Sequence, residues 1–484
     1  MVWILTLAVA AGVARRLDLL LYVLCAAAAL GRHRGSRGRA IALVVLAGAC
    51  ALPGWQASAR YGHERATVER VATAAGGALV PLDGVVASFP QTGLHGTSFE
   101  LETRVDGRRV RLEVRAASFD VNYGDLYRMR ARLTRPGERA RSFHASRGLA
   151  GQARVRADDM ILVGRGGNPL LRDCFWPLHR VARTRLSRAL GRDSGLAIGM
   201  LLGERAQLDA PVRDAVRRLG ITHLLAISGM HLTTLAACVI LITRSRPRWQ
   251  PCALVVALSA YTFMVGDVES LTRAYLMTLV MLAMRATIRS LRPLDALAAA
   301  WFVMSVADPL SMRSVGLQLS FAATFAVLAC LPDLVRAQSR DPRRAVRIAR
   351  RVVDPLAAAF VMSVAVELFI APLQLHHFGA LSVVGPVATV LFFVPVTVVL
   401  LGATPVVGLA LVLPAQEWPG AVLARLSTLT TSAVVACGRL APPLQALPEP
   451  NPWLYYGGLL LGWRFRRRPV AWAAAAALLA AAFL

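Results

Sequence analysis

The stretch GITHLLAISGMH, residues 220–231, sets Thr222, His223, Ser228, Gly229 and His231 inside a run that is otherwise apolar from 221 to 243. Two imidazoles, a hydroxyl and a glycine are costly in hydrocarbon, where polar groups find no water. Groups so placed are expected to face protein, a water-filled path or a passing solute. The stretch therefore reads as a functional site within a membrane-spanning region. On a continuous helix His223 and His231, eight residues apart, would share roughly one face. A break at Ser228-Gly229 would instead present helix-end amides, which suit a phosphate. Pore lining or a broken-helix hinge is favoured over metal ligation, because two histidines without a fixed carboxylate make a weak ligand set.

Outward from this block, apolar runs lie near 249–265, 270–286, 293–307, 314–332, 354–376, 381–413, 421–440, 453–463 and 470–484. Shorter ones lie at 2–14, 17–30 and 40–55; the first two fall below the ~20 residues of a full span. A cleaved leader is not expected, since no positive residue precedes the first run and more apolar runs follow. The run 381–413 carries Pro386, Pro395 and Pro405 and is expected to be broken or re-entrant.

Between 56 and 167 the pattern changes to period-2 alternation. VPLDGVVASF (80–89), TSFELETRV (97–105), RRVRLEVRA (108–116), GDLYRMRARL (124–133) and QARVRADDMILV (152–163) read as strands, with Asp106-Gly107 as a hairpin turn. Five short strands in this length suit a small OB-like barrel. From 168 to 220, Arg180, Arg183, Arg188 and Arg192 mix with Leu178, Val181, Leu186 and Leu190, as in amphipathic helices on a membrane surface. The expected fold is a polytopic α-helical membrane protein with an inserted small all-β OB-like extracytoplasmic domain. Its parts are N-terminal membrane helices (1–55), the β-domain (56–167), amphipathic surface helices (168–220) and a multi-span channel domain (221–484).

Orientation follows from the positive-inside rule. With the loop GRHRGSRGR (31–39) cytoplasmic, the β-domain falls outside. The basic turns at 244–248, 285–292, 336–351 and 464–468 then all fall inside; Arg15 and Arg16 are the exception. The outer segment 56–220 nevertheless holds 28 Arg against 17 acidic residues, in a chain of net charge +27 whose 55 basic residues are all Arg. Codon bias accounts for Arg over Lys but not for the excess. A phosphate polymer gathered outside accounts for its sign and its place together; a solvated basic surface and outer-leaflet lipid bound by the amphipathic part are the alternatives. The strand arginines Arg104, Arg108, Arg109, Arg111, Arg115, Arg128, Arg130 and Arg132 are the candidate contacts.

Further polar groups fall within the apolar runs. GDVESLTRAYLM (266–277) brings Asp267, Glu269, Ser270 and Arg273, the last needing either Glu269 or an anion. DPLSMRSVGLQLSF (308–321) contributes Gln318 and Ser320, groups that more often join helices than touch a solute. Glu367, with Gln374, His376 and His377, is a proton-path or metal candidate, though pairing with another helix is favoured. The seven cysteines lack C-x-x-C spacing, and no phosphate-binding GxxxxGK[ST] loop is possible without lysine. No cofactor or metal is expected.

Taken in order, HLLAISGMH (223–231), SLTRAYLM (270–277), DPLSMRSVGLQLSF (308–321) and FGALSVVGPVATVLFFVPV (378–396) resemble the motifs of the ComEC competence-protein family. The segment SFHASRGLAGQARV (142–155) is similar to the end of that family's OB-like domain. The resemblance implies a channel of the cytoplasmic membrane that takes up single-stranded DNA during natural transformation. It assigns His223, Ser228, Gly229 and His231 to the first motif, Ser270 and Arg273 to the second, and Gln318 and Ser320 to the third. PVATVLFFVPV lacks the asparagine of the usual fourth run. The metallo-β-lactamase-like domain of many members, with its HxHxDH cluster, has no counterpart among the nine histidines. A separate DNA receptor, a cytoplasmic motor and a separate nuclease are the implied partners, beside single-stranded DNA and membrane lipid, and the chain itself is expected not to be an enzyme. Two rivals stand: an intramembrane metal- or His-dependent hydrolase, and a structural protein that binds anionic lipid.

Overall fold

A computed structural model describes residues 36–93, 96–117, 120–191, 194–225, 227, 229–266, 268–287, 293–339, 347–412, 417–464 and 476–483. The apolar runs at 2–14 and 17–30, Ser228 and Asp267 lie outside the described residues. Helix α1 (Ser36–Ala74) carries the 40–55 run onward without a break, so the first strand starts at Val80.

Seven strands follow: β1 (Val80–Val86), β2 (Gln91–Gly93), β3 (Gly96–Val105), β4 (Arg108–Ala116), β5 (Asp125–Thr134), β6 (Leu149–Val155) and β7 (Met160–Arg165). Alternation along β3, β4 and β5 sends every second residue inward. Leu101, Leu112, Val114, Met129 and Ala153 meet there in one apolar core. The path β1-β3-β4-β6-β5 returns to β1, closing a five-strand barrel in which only the β4–β6 pair is parallel. β2 and β7 hang outside, on β3 and β5. Asp106 and Gly107 have φ of 51° and 74°, the left-handed pair that a tight hairpin requires. The end of α1 plugs the barrel, with Val68 pressed so closely on Gly151 that a Cβ there would stand 2.7 Å from it.

Two features depart from the strand pattern. QARVRADDMILV is not one strand: the consecutive carboxylates Asp158 and Asp159 interrupt alternation, and a 3₁₀ turn at Ala157–Asp159 separates β6 from β7. Helix α2 (Glu138–Arg147) precedes β6 and ends on Gly148 in the left-handed region, whose amide donates to Ala145 O and His144 O.

Beyond the barrel come α3 (Trp176–Leu190), α4 (Ser194–Leu202) and α5 (Ala210–Arg218). Then follow α6 (Gly229–Ile242), α7 (Gln250–Val265), α8 (Glu269–Thr287), α9 (Pro293–Ala307), α10 (Val315–Ser339), α11 (Arg347–Phe378), α12 (Gly385–Val412), α13 (Glu417–Leu440) and α14 (Pro452–Arg464). Thr222–Ile242, Pro355–Phe378 and Gly385–Thr404 are long and apolar enough to cross a membrane; Gln250–Val265, Pro293–Ala307 and Val315–Ala329 are shorter apolar helices. The segment 168–220 does not lie wholly on a surface. α4 is apolar on every side and is enclosed with α12 and α13 in the largest core, because a helix without a polar face has nothing to offer water. Nor is 385–412 broken: α12 runs through Pro395 and Pro405, as helices in apolar surroundings can when neighbouring groups absorb the freed carbonyls.

Candidate functional site

The GITHLLAISGMH stretch is not a continuous helix. A 3₁₀ turn spans Thr222–Leu224, and α6 starts only at Gly229. His223 is exposed on the turn, whereas His231 is buried in the first turns of α6. The break thus separates the two imidazoles that an unbroken helix would align.

The four motif blocks, spread over residues 223–396, gather around this break. Ser270 Oγ at the start of α8 donates to Ile227 O, and Gly229 faces Ala274, one turn further along α8, closely enough that a Cβ would make ordinary contact at 3.7 Å. On α8, Arg273 Nε donates to Ser320 Oγ of α10 at 2.9 Å, with the guanidinium 5.7 Å from the centre of the Phe321 ring. Gln318 of α10 accepts from His377 Nε2 of α11 at 2.9 Å and donates to Met312 O at 3.1 Å. Ser382, just before α12, donates to Arg218 O at 2.7 Å, and a Cβ on Gly220 would stand 2.8 Å from Ser382 Cβ. First touches second and second third; the third reaches His377, next to the fourth, and the fourth packs on Arg218 and Gly220, just before the first.

Arg273 is the most costly member. It is 7% exposed, yet its partners are a hydroxyl, the Met277 sulfur and an aromatic face. Among the described residues no carboxylate pairs with it; Glu269 lies over Gly316 at the start of α10, where its charge suits the helix N-terminus. Cation–π contact recovers about 1–2 kcal/mol, less than a buried guanidinium loses on leaving water. Glu367 bonds Gln374 and lies about 4 Å from the position of a Cβ on Gly385. His376 turns instead to Glu449, at 3.1 Å. The carboxylate and the two histidines therefore do not converge, and among the described residues no group of three or more His, Cys, Asp or Glu could hold a metal.

The barrel rests on the loops beside this ring. Phe89 covers Gly266, Gly93 meets Ala206, and Gly148 of the α2 cap touches Leu310 in the 3₁₀ segment Pro309–Arg313. At this seam sits a cluster that sequence reading missed. His179 of α3 faces Met264 O through Nδ1 and Glu204 Oε1 through Nε2, both at 2.8 Å. The other carboxylate oxygen takes Arg183 at 3.3 Å and Gln207 at 3.2 Å. Trp176 stacks on His179, and Phe89 meets both rings. The available signal was a lone carboxylate in LLGERAQ, residues 201–207, at the end of an apolar run.

On the barrel all eight candidate arginines are exposed, but they differ in company. Arg111 stands opposite Glu102, Arg128 binds Asp83 at 3.1 Å, and Arg115 binds Glu113 at 2.9 Å. Arg104 stands opposite Arg109 next to the hairpin turn, with Arg108 opposite Val105. Glu113 also receives His144 at 2.9 Å and Gln152 at 2.7 Å. Burial pushes its carboxyl up, but the bonds from His144, Arg115 and Gln152 outweigh this and hold it down at about 2.

A small closed barrel seated on a bundle of apolar helices, with polar groups gathered at the break before α6, defines the class: a helical protein with segments long and apolar enough to cross a membrane and an appended β-barrel. The chain belongs to the Competence protein family, whose model matches residues 200–482 and so takes in all four motif blocks. It is 28% identical to ComE operon protein 3 of Bacillus subtilis (strain 168) over 197 residues, which cover 40% of this chain and 23% of that protein. It is 28% identical to Competence protein ComA of Neisseria gonorrhoeae over 270 residues, covering 46% and 37% respectively. The chain thus spans well under half the length of these curated relatives. No solved structure matches it.

Proposed function

We propose that this protein is a channel of the cytoplasmic membrane that passes single-stranded DNA inward during natural transformation. The observation that carries the reading is Arg273: a buried guanidinium without a carboxylate partner among the described residues, set where polar blocks gather among apolar helices. Such a charge is suited to a phosphate that comes and goes. Two relatives named for competence support the biological setting.

In this reading residues 1–55 and 221–484 form the membrane part, and 56–167 is an extracytoplasmic OB-like domain, a type supported by the closed strand path with one parallel pair. His223, Ser228, Gly229, His231, Ser270, Arg273, Gln318, Ser320 and Glu367 line or shape the path. The barrel arginines gather the strand outside, and a receptor and a motor are separate proteins. The chain transports and does not catalyse.

Uptake of labelled DNA by a deletion strain, complemented with wild type or His231→Ala at matched membrane levels, tests the proposal. Wild-type complementation should restore entry, and the variant should not. Entry that is independent of the wild-type chain would refute it.

A further inference from the structure

The strand register places three arginines side by side across the outer wall of the barrel. Arg115 of β4 stands opposite Arg154 of β6, and Arg154 stands opposite Arg132 of β5. All three are exposed. With neighbouring strands ~4.8 Å apart, the row is roughly 10 Å wide. Arg130 and Arg156, two residues along β5 and beyond β6, are exposed on the same face by alternation.

Like charges directly opposite one another destabilise a sheet. Several other arginines of the barrel are matched with carboxylates: Glu102 is set against Arg111, Asp83 takes Arg128, and Glu100 takes Arg147 at 2.8 Å, whereas Arg104 and Arg109 face each other at the hairpin. Within the row only Arg115 has a carboxylate, and that one, Glu113, is shared with His144 and Gln152. Arg132 and Arg154 have no hydrogen-bond or ion-pair partner among the described residues.

We infer that Arg115, Arg154 and Arg132 form a phosphate-backbone subsite, over which a single strand of nucleic acid lies across β4, β6 and β5. The inference rests on the reading that the barrel gathers DNA, and it selects the face that does so. A row of this width is enough for more than one backbone phosphate. Contacts of this kind position a strand without reading its bases. A strand is favoured over lipid headgroups by location. Gly148, at the foot of β6, is the residue that touches Leu310 beside the apolar helices. Arg154 lies six residues further on, roughly 20 Å along the strand.

The test uses the full chain in lipid nanodiscs and a fluorescein-labelled oligo-dT of about 16 nucleotides, the upper end of a small barrel's site size. Two variants of equal charge are compared: Arg132→Gln with Arg154→Gln, and Arg104→Gln with Arg109→Gln at the hairpin. The row variant is expected to bind roughly tenfold more weakly, with the slope of log K against log salt reduced by about 1.4 for two lost contacts; the hairpin variant is expected to weaken binding less than the row variant. Equal weakening of both variants, or a row variant that binds like wild type, overturns the row while leaving DNA binding intact. A wild-type chain that fails to bind the oligonucleotide overturns the underlying reading. Unchanged oligonucleotide binding by the row variant with lost association to anionic vesicles assigns the row to lipid and also overturns the inference.

Discussion

His179 Nε2 lies 2.8 Å from Glu204 Oε1 with both side chains almost fully buried, at the seam where the barrel, α3 and the end of α7 meet. Both imidazole nitrogens face acceptors, and Arg183 and Gln207 complete the carboxylate. Removing one partner strands the other in an apolar enclosure, at a cost of about 3–5 kcal/mol. Glu204→Ala and His179→Ala should each lower the melting temperature of the detergent-solubilised chain by several degrees. His179→Leu combined with Glu204→Met should recover part of the loss, because neither member of the buried pair is left without the other, and Arg183, which loses its carboxylate, is partly exposed to solvent. Single variants that melt like wild type would show that the pair does not hold the seam.

The Glu113 cluster gives the barrel an acid limit. Its carboxyl, held at about 2 in the folded chain by His144, Arg115 and Gln152, returns to about 4.3 in the unfolded chain. A depressed folded value means stability that is fully present above the unfolded value and is lost as pH falls from there through about 2. Wild type should therefore lose melting temperature steadily between pH 5 and 2. Glu113→Gln should be less stable at pH 7 and show a shallower decline over that window. Parallel declines for the two proteins would remove Glu113 from the acid response.

Much of the barrel was legible because alternation is local: β3, β4 and the Asp106-Gly107 turn need only neighbouring residues to declare themselves. What was not legible depends on contacts distant in sequence. Helix α2 shows no apolar stripe and is held by its Gly148 cap and by Leu310, more than 160 residues on. His179 by itself is one polar residue on a helix; its partners Glu204 and Met264 lie 25 and 85 residues further along the chain. Arg154 lies inside QARVRADDMILV, where nothing local distinguishes it from the other strand arginines. Only the parallel β4–β6 register, which no local pattern encodes, sets it between Arg115 and Arg132.

Gly220 joins the first motif to the fourth and has no room for a side chain. Its φ is +71°, and a Cβ would stand 2.8 Å from Ser382 Cβ and 3.2 Å from Gly385 Cα. Gly220→Ala should cost about 1–3 kcal/mol through backbone strain and displacement of the Ser382 segment. Protease sensitivity near residues 220–228 should rise with it. Replacement of Gly62, where nothing lies within 4 Å, should be silent and serves as the control. An alanine at 220 that leaves melting and proteolysis unchanged would mean that the two blocks are not packed as tightly as described.

Arg273 separates charge from shape. Its Nε is committed to Ser320 Oγ at 2.9 Å while its plane lies over Phe321, leaving the remaining edge of the guanidinium for an anion. A lysine keeps the charge but is a point donor without a planar fork, and it cannot hold Ser320 and offer a second edge together. Loss of one charge-assisted hydrogen bond is worth about 1.5–3 kcal/mol, which is tenfold or more in an equilibrium. Arg273→Lys should therefore reduce DNA entry by at least about tenfold at unchanged membrane abundance. Ser320→Ala should reduce it less, and the double variant should be no worse than Arg273→Lys alone, because both act through one contact. Full entry with lysine at 273 would mean that a positive charge suffices there and that the Ser320 and Phe321 geometry has no part in passage.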